Sequence, residues 1–478
     1  MNSFDYDLIV IGGGAAGMTS AKLARGLKKK VAIIEKEQLG GECTWTGCIP
    51  SKTLIKSSEA VFQAQHLDKY GLVADPFNID TSKVMNHVRS IISTIYQTHT
   101  PEKFVEQGID VFFGDPVLID NNHISFDRKT ISAQAIILAT GTSPLIPPIE
   151  GLNDIPYLTN QTLFSLPHLP KDLLILGGGP IGVEVASALN RLGVLVTIVE
   201  MQDRLLPRDD KELVDLLMPK LKEEGIRVLT GMRATKALKM KDGVQLICIA
   251  SDGSEQQVDG KQLLVAVGRK PNIKGLYLER AKVAVEKERL VVDEYLRTTA
   301  KNIYACGDVV GPYLFSHMAF YQATIAVRNA LIPFFKKKVD YRNVAWVTFT
   351  DPELATAGLT EQEARESYDE IKIYRYPYAK LDRAHTEGKT EGLGKFICDK
   401  KGKLIGAHIF GARAGDLISE IQVGKTYGLD LADLYPVIHP YPTFSELIWH
   451  SAKNRYIDKL KANSILKLLQ SLIVWWKK

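Results

Sequence analysis

Short, unbroken apolar runs alternate with glycine turns and helical periodicity at two places in the chain. Leu8-Ile9-Val10-Ile11 is continuous, not alternating, which predicts a parallel strand covered on both faces. Gly12-Gly13-Gly14-Ala15-Ala16-Gly17 follows, then a helix-like stretch through Leu23 and Leu27, then Val31-Ala32-Ile33-Ile34, closed by Glu35. The same order recurs later. Leu173-Leu174-Ile175-Leu176 precedes Gly177-Gly178-Gly179-Pro180-Ile181-Gly182, and Leu195-Val196-Thr197-Ile198-Val199 ends in Glu200. In both copies the acid stands 23 residues after the first glycine. Nowhere do about 18 apolar residues run together, so no single helix is predicted to span a bilayer.

Glycines at this spacing let the backbone approach a pyrophosphate at a helix N-terminus, where open N–H groups and the helix dipole favour anions; the acid accepts from a ribose. One such pattern is weak, since chance places roughly 0.2 of them in a chain this rich in glycine. Two copies with equal spacing and equal flanks imply two dinucleotides. A carboxylate at Glu200 accepts from a 2′-hydroxyl and repels a 2′-phosphate, although Arg204 would neutralise a phosphate if its loop turned inward.

The 478 residues suit about three domains. Hydrophobic residues at 45% and charged ones at 24% describe a folded globular protein. A net charge of +5, from 60 Lys+Arg against 55 Asp+Glu, is too small and too dispersed for a nucleic-acid partner, and Lys28-Lys29-Lys30 reads as a solvated helix end. Five cysteines, an odd number, suggest a reducing compartment; the N-terminus has no basic segment before its apolar run, so the expected location is cytoplasmic.

Between the two turns lies Gly40-Gly41-Glu42-Cys43-Thr44-Trp45-Thr46-Gly47-Cys48-Ile49-Pro50-Ser51-Lys52. Residues five apart in a regular helix have Cα atoms about 8.6 Å apart, beyond disulfide reach, so a bridge between Cys43 and Cys48 needs a distorted turn. Thr44, Thr46 and Gly47 form helix poorly while Pro50 suits a first turn, which predicts a regular helix from about Pro50 with Cys48 beside its start. That position favours the thiolate, the form that attacks disulfides, binds soft metals or donates electron density to a flavin. No C-x₂-C or Cys/His cluster supplies a metal site here. Cys248, Cys306 and Cys398 stand in apolar contexts and read as buried.

At this point the chain resembles the flavin-dependent pyridine nucleotide–disulfide oxidoreductases, over about 460 residues in the family's order. The resemblance implies an α/β fold with two Rossmann-like domains and an α+β dimerisation domain. Its expected segments are an FAD domain over 1–145, an NAD(P) domain over 146–268, a return to the FAD domain over 269–340, a dimerisation domain over 341–460, and a tail over 461–478. It implies a homodimer using FAD and NAD(P)H, with NADH favoured. Carried over, Gly12, Gly14, Gly17 and Glu35 hold the FAD pyrophosphate and ribose. Gly114 lies near the adenine, Thr140 and Gly141 form the crossover out of the FAD domain, and Asp308 bonds the ribityl-phosphate region. Gly177, Gly179, Gly182 and Glu200 belong to the second nucleotide, with Gly268 at that domain's exit. Cys43 and Cys48 are the redox pair, with Cys48 facing the flavin and Cys43 the acceptor. Lys52 and Glu184 are the cation and carboxylate placed beside the flavin ring.

The pattern departs from the family near the end. Disulfide-reducing members carry a His oriented by a Glu in a His-Pro-Thr-x-x-Glu run; here, counting back from Glu446, the His position is Tyr441. A phenol of pKa about 10 is a poor base at neutral pH, so proton transfer to a dithiol loses its usual help. His439 is the alternative base. A thiophilic cation needs thiolates and electrons more than a proton shuttle, so mercuric-reductase-like chemistry is the favoured reading, although the C-terminal Cys pair of that branch is missing, Cys398 being the last cysteine. The competing readings are dihydrolipoyl dehydrogenase or another disulfide reductase, a membrane-associated NADH:quinone reductase, and a slow redox-sensing or scaffold flavoprotein. Ile465 to Lys478 combines an apolar face, Trp475, Trp476 and basic flanks, which suits an interfacial helix touching a membrane or packing on the parent domain.

Overall fold

The computed structural model describes residues 4–73, 75–332 and 334–463; the tail from Ile465 to Lys478 lies outside them. The described chain is mixed α/β and groups into two compact units. One comprises the described residues up to Ser57 with Asn78–Gly177 and Arg233–Asp340; the other comprises the described residues of Ser58–Phe77, Gly178–Met232 and those from Tyr341 to Asn463.

In the first unit, Tyr6–Ile11 runs parallel to Val31–Glu35 on one side and to Lys129–Leu138 on the other, inside a seven-stranded sheet. Ile109–Phe113 adds in parallel beyond Val31–Glu35, and Ile303–Ala305 returns from far along the chain to pair with Lys129–Leu138. Leu8 and Val10 cluster with Ala21 and Ala24 of the helix Ala15–Gly26 and with Ala319 and Ala323 of the helix Ser316–Leu331. Ile9 and Ile11 cluster instead with Leu118, Ile124, Phe126 and Leu276. Both faces of the strand are therefore covered, which explains why its apolar run is unbroken. A short antiparallel ribbon, Thr142–Pro144 against Arg269–Pro271, ties two distant stretches together, and Asp172–Leu176 pairs in parallel with Gln262–Val265.

In the second unit, Leu195–Val199 pairs in parallel with Arg227–Leu229. Five antiparallel strands follow in the order Ala345–Thr348, Glu353–Gly358, Leu404–Gly411, Leu393–Asp399, Ile371–Pro377. The helices Ala414–Thr426 and Glu446–Ala462 close a core with them through Ile418, Ile421, Leu447 and Ile448.

A buried ion cluster fastens the start of the helix Lys211–Glu223 to that sheet. Lys395, 1% exposed, donates to both oxygens of Asp210 at 2.8 and 3.0 Å and pairs with Glu212 and Glu361 at 2.9 and 2.8 Å. Asp210 also caps that helix by accepting from the Glu212 amide. Removing the cation strands the buried Asp210 carboxylate, while Glu212 and Glu361 keep Arg375, so Lys395→Met is expected to cost about 3–5 kcal/mol. Lys211→Met, which breaks only an exposed pair with Asp215, is expected to cost under about 0.5 kcal/mol. Denaturant midpoints compare the two; equal midpoints would mean that the cluster contributes no more than a surface pair.

Among the described residues, no helix is long and apolar enough to cross a membrane.

Candidate active site

The two glycine turns share one geometry. At the first, Gly12 has φ +104°, and an added Cβ would lie 2.4 Å from the Ala139 carbonyl oxygen; a Cβ on Gly17 would lie 1.8 Å from the Gly12 carbonyl oxygen. At the second, Gly177 has φ +115°, and its Cβ would lie 2.5 Å from the Ala266 oxygen. These positions are filled by protein. Gly14 and Gly179 differ: they are the N-caps of Ala15–Gly26 and Pro180–Arg191, neither helix has a side-chain cap, and a Cβ would meet only Gly41 Cα at 3.8 Å in one case and nothing within 4 Å in the other. Open space beside uncapped N–H groups fits a pyrophosphate. Gly182 is buried within the second helix. Gly14→Ala is expected to fold normally and to bind FAD at least about tenfold more weakly, a loss of about 1.4 kcal/mol, measured by flavin fluorescence on dilution. Unchanged affinity would place the pyrophosphate elsewhere.

Glu35 and Glu200 behave alike. Glu35 accepts from the Gly13 amide at 2.5 Å and the Glu37 amide at 2.9 Å; Glu200 accepts from the Gly178 amide at 2.5 Å and the Gln202 amide at 2.6 Å. Each acid thus fastens its own turn and is held in a fixed orientation. Arg204 donates to the carbonyls of Asp209 and Pro207 at 3.0 and 2.6 Å, inside its own loop.

The other predicted nucleotide residues of the first unit occupy the neighbourhood of its glycine turn or its ribbon. The Gly114 amide donates to the Glu35 carbonyl at 3.0 Å. Thr140 Oγ1 donates to the Asn272 carbonyl at 2.6 Å, and the Gly141 carbonyl accepts from the Asn272 amide at 3.0 Å. The Gly268 carbonyl accepts from the Leu145 amide at 2.9 Å. Burial pushes the Asp308 carboxyl up, against the opposing pull of Arg269 and of Thr142 Oγ1 at 3.4 Å. Next to it, a Cβ on Gly307 would lie 2.9 Å from the Ala16 Cβ, so this returning segment lies against the first glycine-turn helix.

The dithiol segment folds differently from the expectation of a helix from Pro50. A short helix, Gly41–Trp45, breaks at Thr46, and a long helix, Cys48–Gln65, begins at Cys48 itself. Gly47 makes the break: a Cβ there would lie 2.8 Å from the Glu42 carbonyl oxygen. This is the distorted turn that the spacing demanded, and it brings Cys43 and Cys48 into side-chain hydrogen-bonding contact. Their thiols carry no bridge in this structure. Ser316, the first residue of Ser316–Leu331, sets its Oγ 3.4 Å from Cys48 Sγ and also hydrogen-bonds Cys43. The hydrogen bond with Cys48, then burial, pushes the Cys43 thiol up, with Ser316 and the Lys52 ammonium opposing.

The segment is pinned beside the first glycine turn. The Gly40 amide donates to the Gly13 carbonyl at 2.9 Å, and a Cβ on Gly41 would lie 2.7 Å from Gly14 Cα. Glu42 pairs with Arg269 and accepts from Gln161 Nε2 at 2.9 Å, while Asn160 Nδ2 donates to the Thr46 carbonyl at 3.2 Å. Sequence reasoning missed Ser316, Arg269, Gln161 and Asn160, because each reaches the dithiol from more than a hundred residues away and carries no local signal. Cys248, Cys306 and Cys398 are fully buried, as expected.

In the second unit, Glu184 is 6% exposed and accepts from the Phe349 amide at 2.9 Å. Tyr441 is 70% exposed and donates to Asp382 Oδ2 at 2.8 Å, while Glu446 accepts from the Thr443 amide at 3.3 Å. Asp382, not Glu446, therefore orients the phenol, and it also raises the phenol's pKa. His439 places Nε2 2.9 Å from Glu420 Oε1 and Nδ1 3.0 Å from the Val437 carbonyl, so both ring nitrogens are engaged.

Residues 6–330 match the pyridine nucleotide-disulphide oxidoreductase family, and residues 344–452 match its dimerisation domain. The chain is 35% identical to a mercuric reductase of Staphylococcus aureus over 445 residues, 92% of this chain and 81% of that one. It is 31% identical to a dihydrolipoyl dehydrogenase of Bacillus subtilis (strain 168) over 466 residues, covering 94% and 97%. Among solved structures, a Cu(II) complex of the HOCl-induced flavoprotein disulfide reductase RclA from Escherichia coli superposes with a TM-score of 0.85 at 29% identity, covering 95% of this chain and all of that one. The two nucleotide turns, the cysteine pair and the C-terminal sheet are thus the parts of one enzyme: the chain belongs to the pyridine nucleotide–disulphide oxidoreductases, whose members use FAD and NAD(P)H.

Proposed function

We propose that this chain works as a homodimer that passes electrons from NADH through FAD to the Cys43–Cys48 disulfide and on to a thiophilic metal ion, with mercuric ion as the favoured acceptor. The observation that carries this reading is the contact between Cys43 and Cys48, both hydrogen-bonded to Ser316, in a segment pinned against the first glycine turn. FAD, when bound, supplies two-electron transfer between a reduced nicotinamide and a disulfide. Gly12, Gly14, Gly17, Glu35, Gly114, Thr140, Gly141 and Asp308 would hold it; Gly177, Gly179, Gly182, Glu200 and Gly268 would hold the nicotinamide nucleotide.

Cys48 is the thiol assigned to face the flavin and Cys43 the one assigned to meet the acceptor. Lys52 acts on the Cys43 sulfur electrostatically, and a fixed cation there favours anionic sulfur. The net exchange balances as NADH and a divalent cation giving NAD⁺, a proton and the zero-valent metal. No proton has to be delivered to a leaving thiol, so a Tyr441 that is exposed and turned to Asp382 is no handicap. The mercuric reductases among the relatives and the Cu(II) complex of RclA agree with a chain that meets soft or borderline metal ions. Arg204, turned into its own loop, supports the preference for NADH.

NADH oxidation measured with mercuric ion, Cu(II), lipoamide and oxidised glutathione tests this. The expected order places the metal ions first and the disulfides at least about tenfold lower, reflecting the missing acid–base catalyst. Robust lipoamide turnover that Tyr441→Phe leaves untouched would overturn the assignment in favour of a disulfide reductase.

A further inference from the structure

The segment after the helix Ser316–Leu331 presents two aromatic rings to water. Phe334 is 89% exposed and Phe335 68%. They do not belong to a frayed end. Asn329, 1% exposed, grips the chain just beyond them: its Oδ1 accepts from the Lys337 amide at 2.7 Å, and its Nδ2 donates to the Lys337 carbonyl at 2.8 Å and the Tyr295 carbonyl at 2.9 Å. Arg328 Nε holds the Phe335 carbonyl at 2.7 Å. A buried side chain and a guanidinium therefore fix the backbone in a form that keeps both rings outside the fold.

The next three residues are Lys336, Lys337 and Lys338, all exposed. Lys338 is matched by Glu294 at 2.6 Å. We propose that this loop is a docking surface for an anionic phospholipid bilayer, the two rings entering the headgroup–acyl boundary and the lysines meeting the lipid phosphates. Charge and shape select this occupant. Lysine is depleted at protein–protein interfaces, where a paired aromatic anchor is ordinarily ringed by other groups. Aromatic rings beside lysines match instead the layering of a negatively charged bilayer surface. The tail repeats the same composition, Trp475-Trp476-Lys477-Lys478 after an apolar run, in a separate part of the sequence. The inference does not depend on which acceptor the dithiol reduces.

Flotation of the full-length, FAD-loaded protein with vesicles tests it, using phosphatidylcholine alone and phosphatidylcholine mixed with phosphatidylglycerol. The wild type is expected to float with the anionic vesicles and to be released by high salt. Phe334→Ser/Phe335→Ser is expected to weaken that binding at least about tenfold, the scale of withdrawing two rings from the boundary, with its rate of flavin reduction by NADH unchanged. Lys336→Gln/Lys337→Gln is expected to flatten the salt dependence. Wild-type binding by the Phe variant, no preference for the anionic vesicles, or a Phe variant that changes only the oligomeric state in sedimentation would each overturn the proposal.

Discussion

Cys48→Ser is expected to lower NADH-driven turnover with mercuric ion by more than about a thousandfold, the scale of removing a covalent redox group. Cys48 opens the helix Cys48–Gln65, hydrogen-bonds Cys43 and lies 3.4 Å from Ser316 Oγ. A hydroxyl in its place keeps the shape and the hydrogen bonds but can neither form nor break a disulfide. The variant should therefore remain yellow and folded, should still be bleached by NADH, and should fail to pass electrons on. The long-wavelength absorbance expected of a thiolate against the flavin should vanish with it. Cys248, Cys306 and Cys398, buried away from solvent, cannot substitute. Wild-type turnover in Cys48→Ser would remove the dithiol from the pathway and leave a direct transfer from flavin to acceptor.

Gly17→Ala is expected to be the most damaging conservative change in the chain. The new methyl would stand 1.8 Å from the Gly12 carbonyl oxygen, and Gly12 cannot recoil, because its own Cβ position lies 2.4 Å from the carbonyl oxygen of Ala139, just past the end of the neighbouring strand Lys129–Leu138. Relief requires separating the helix Ala15–Gly26 from the sheet, where Ala21 and Ala24 pack against Leu8 and Val10. A cost above about 4 kcal/mol follows from overpacking a core that has no slack, and the proposed FAD site would be lost with the turn. The purified variant should be colourless or insoluble, whereas Gly14→Ala, with open space at its Cβ, should fold and differ only in affinity. Flavin content and denaturant midpoint separate the two; a yellow Gly17→Ala protein with the wild-type midpoint would refute this packing argument.

Much of this was legible in the chain itself, and the reason is locality. The strand, glycine turn and helix are fixed by neighbours within thirty residues, so the apolar runs and glycine spacings announce them. The Cys43–Cys48 spacing demanded a distorted turn, and the structure supplies one at Gly47; periodicity could not reveal that the long helix starts at Cys48 and not near Pro50, since Gly47 is required by contact with the Glu42 carbonyl. What escaped was tertiary. Ser316 meets the sulfurs across 268 residues of sequence, and the partners of Glu42 lie 119 and 227 residues away. The contact of His439 with Glu420, on the helix Ala414–Thr426, was likewise outside any local pattern. Asp382 was invisible as the partner of Tyr441 for the same reason.

The central claim is that electrons from a nicotinamide reach Cys43 and Cys48 through a flavin bound at the first glycine turn. Anaerobic titration of the oxidised, FAD-loaded protein with NADH, followed by absorbance and by counting reactive thiols, tests it most directly. The account predicts two new thiols per chain after the first equivalent, both lost from the count in Cys43→Ser/Cys48→Ser, together with long-wavelength absorbance. A flavin that is bleached with no gain in thiols, or a protein that cannot be loaded with flavin at all, would contradict it.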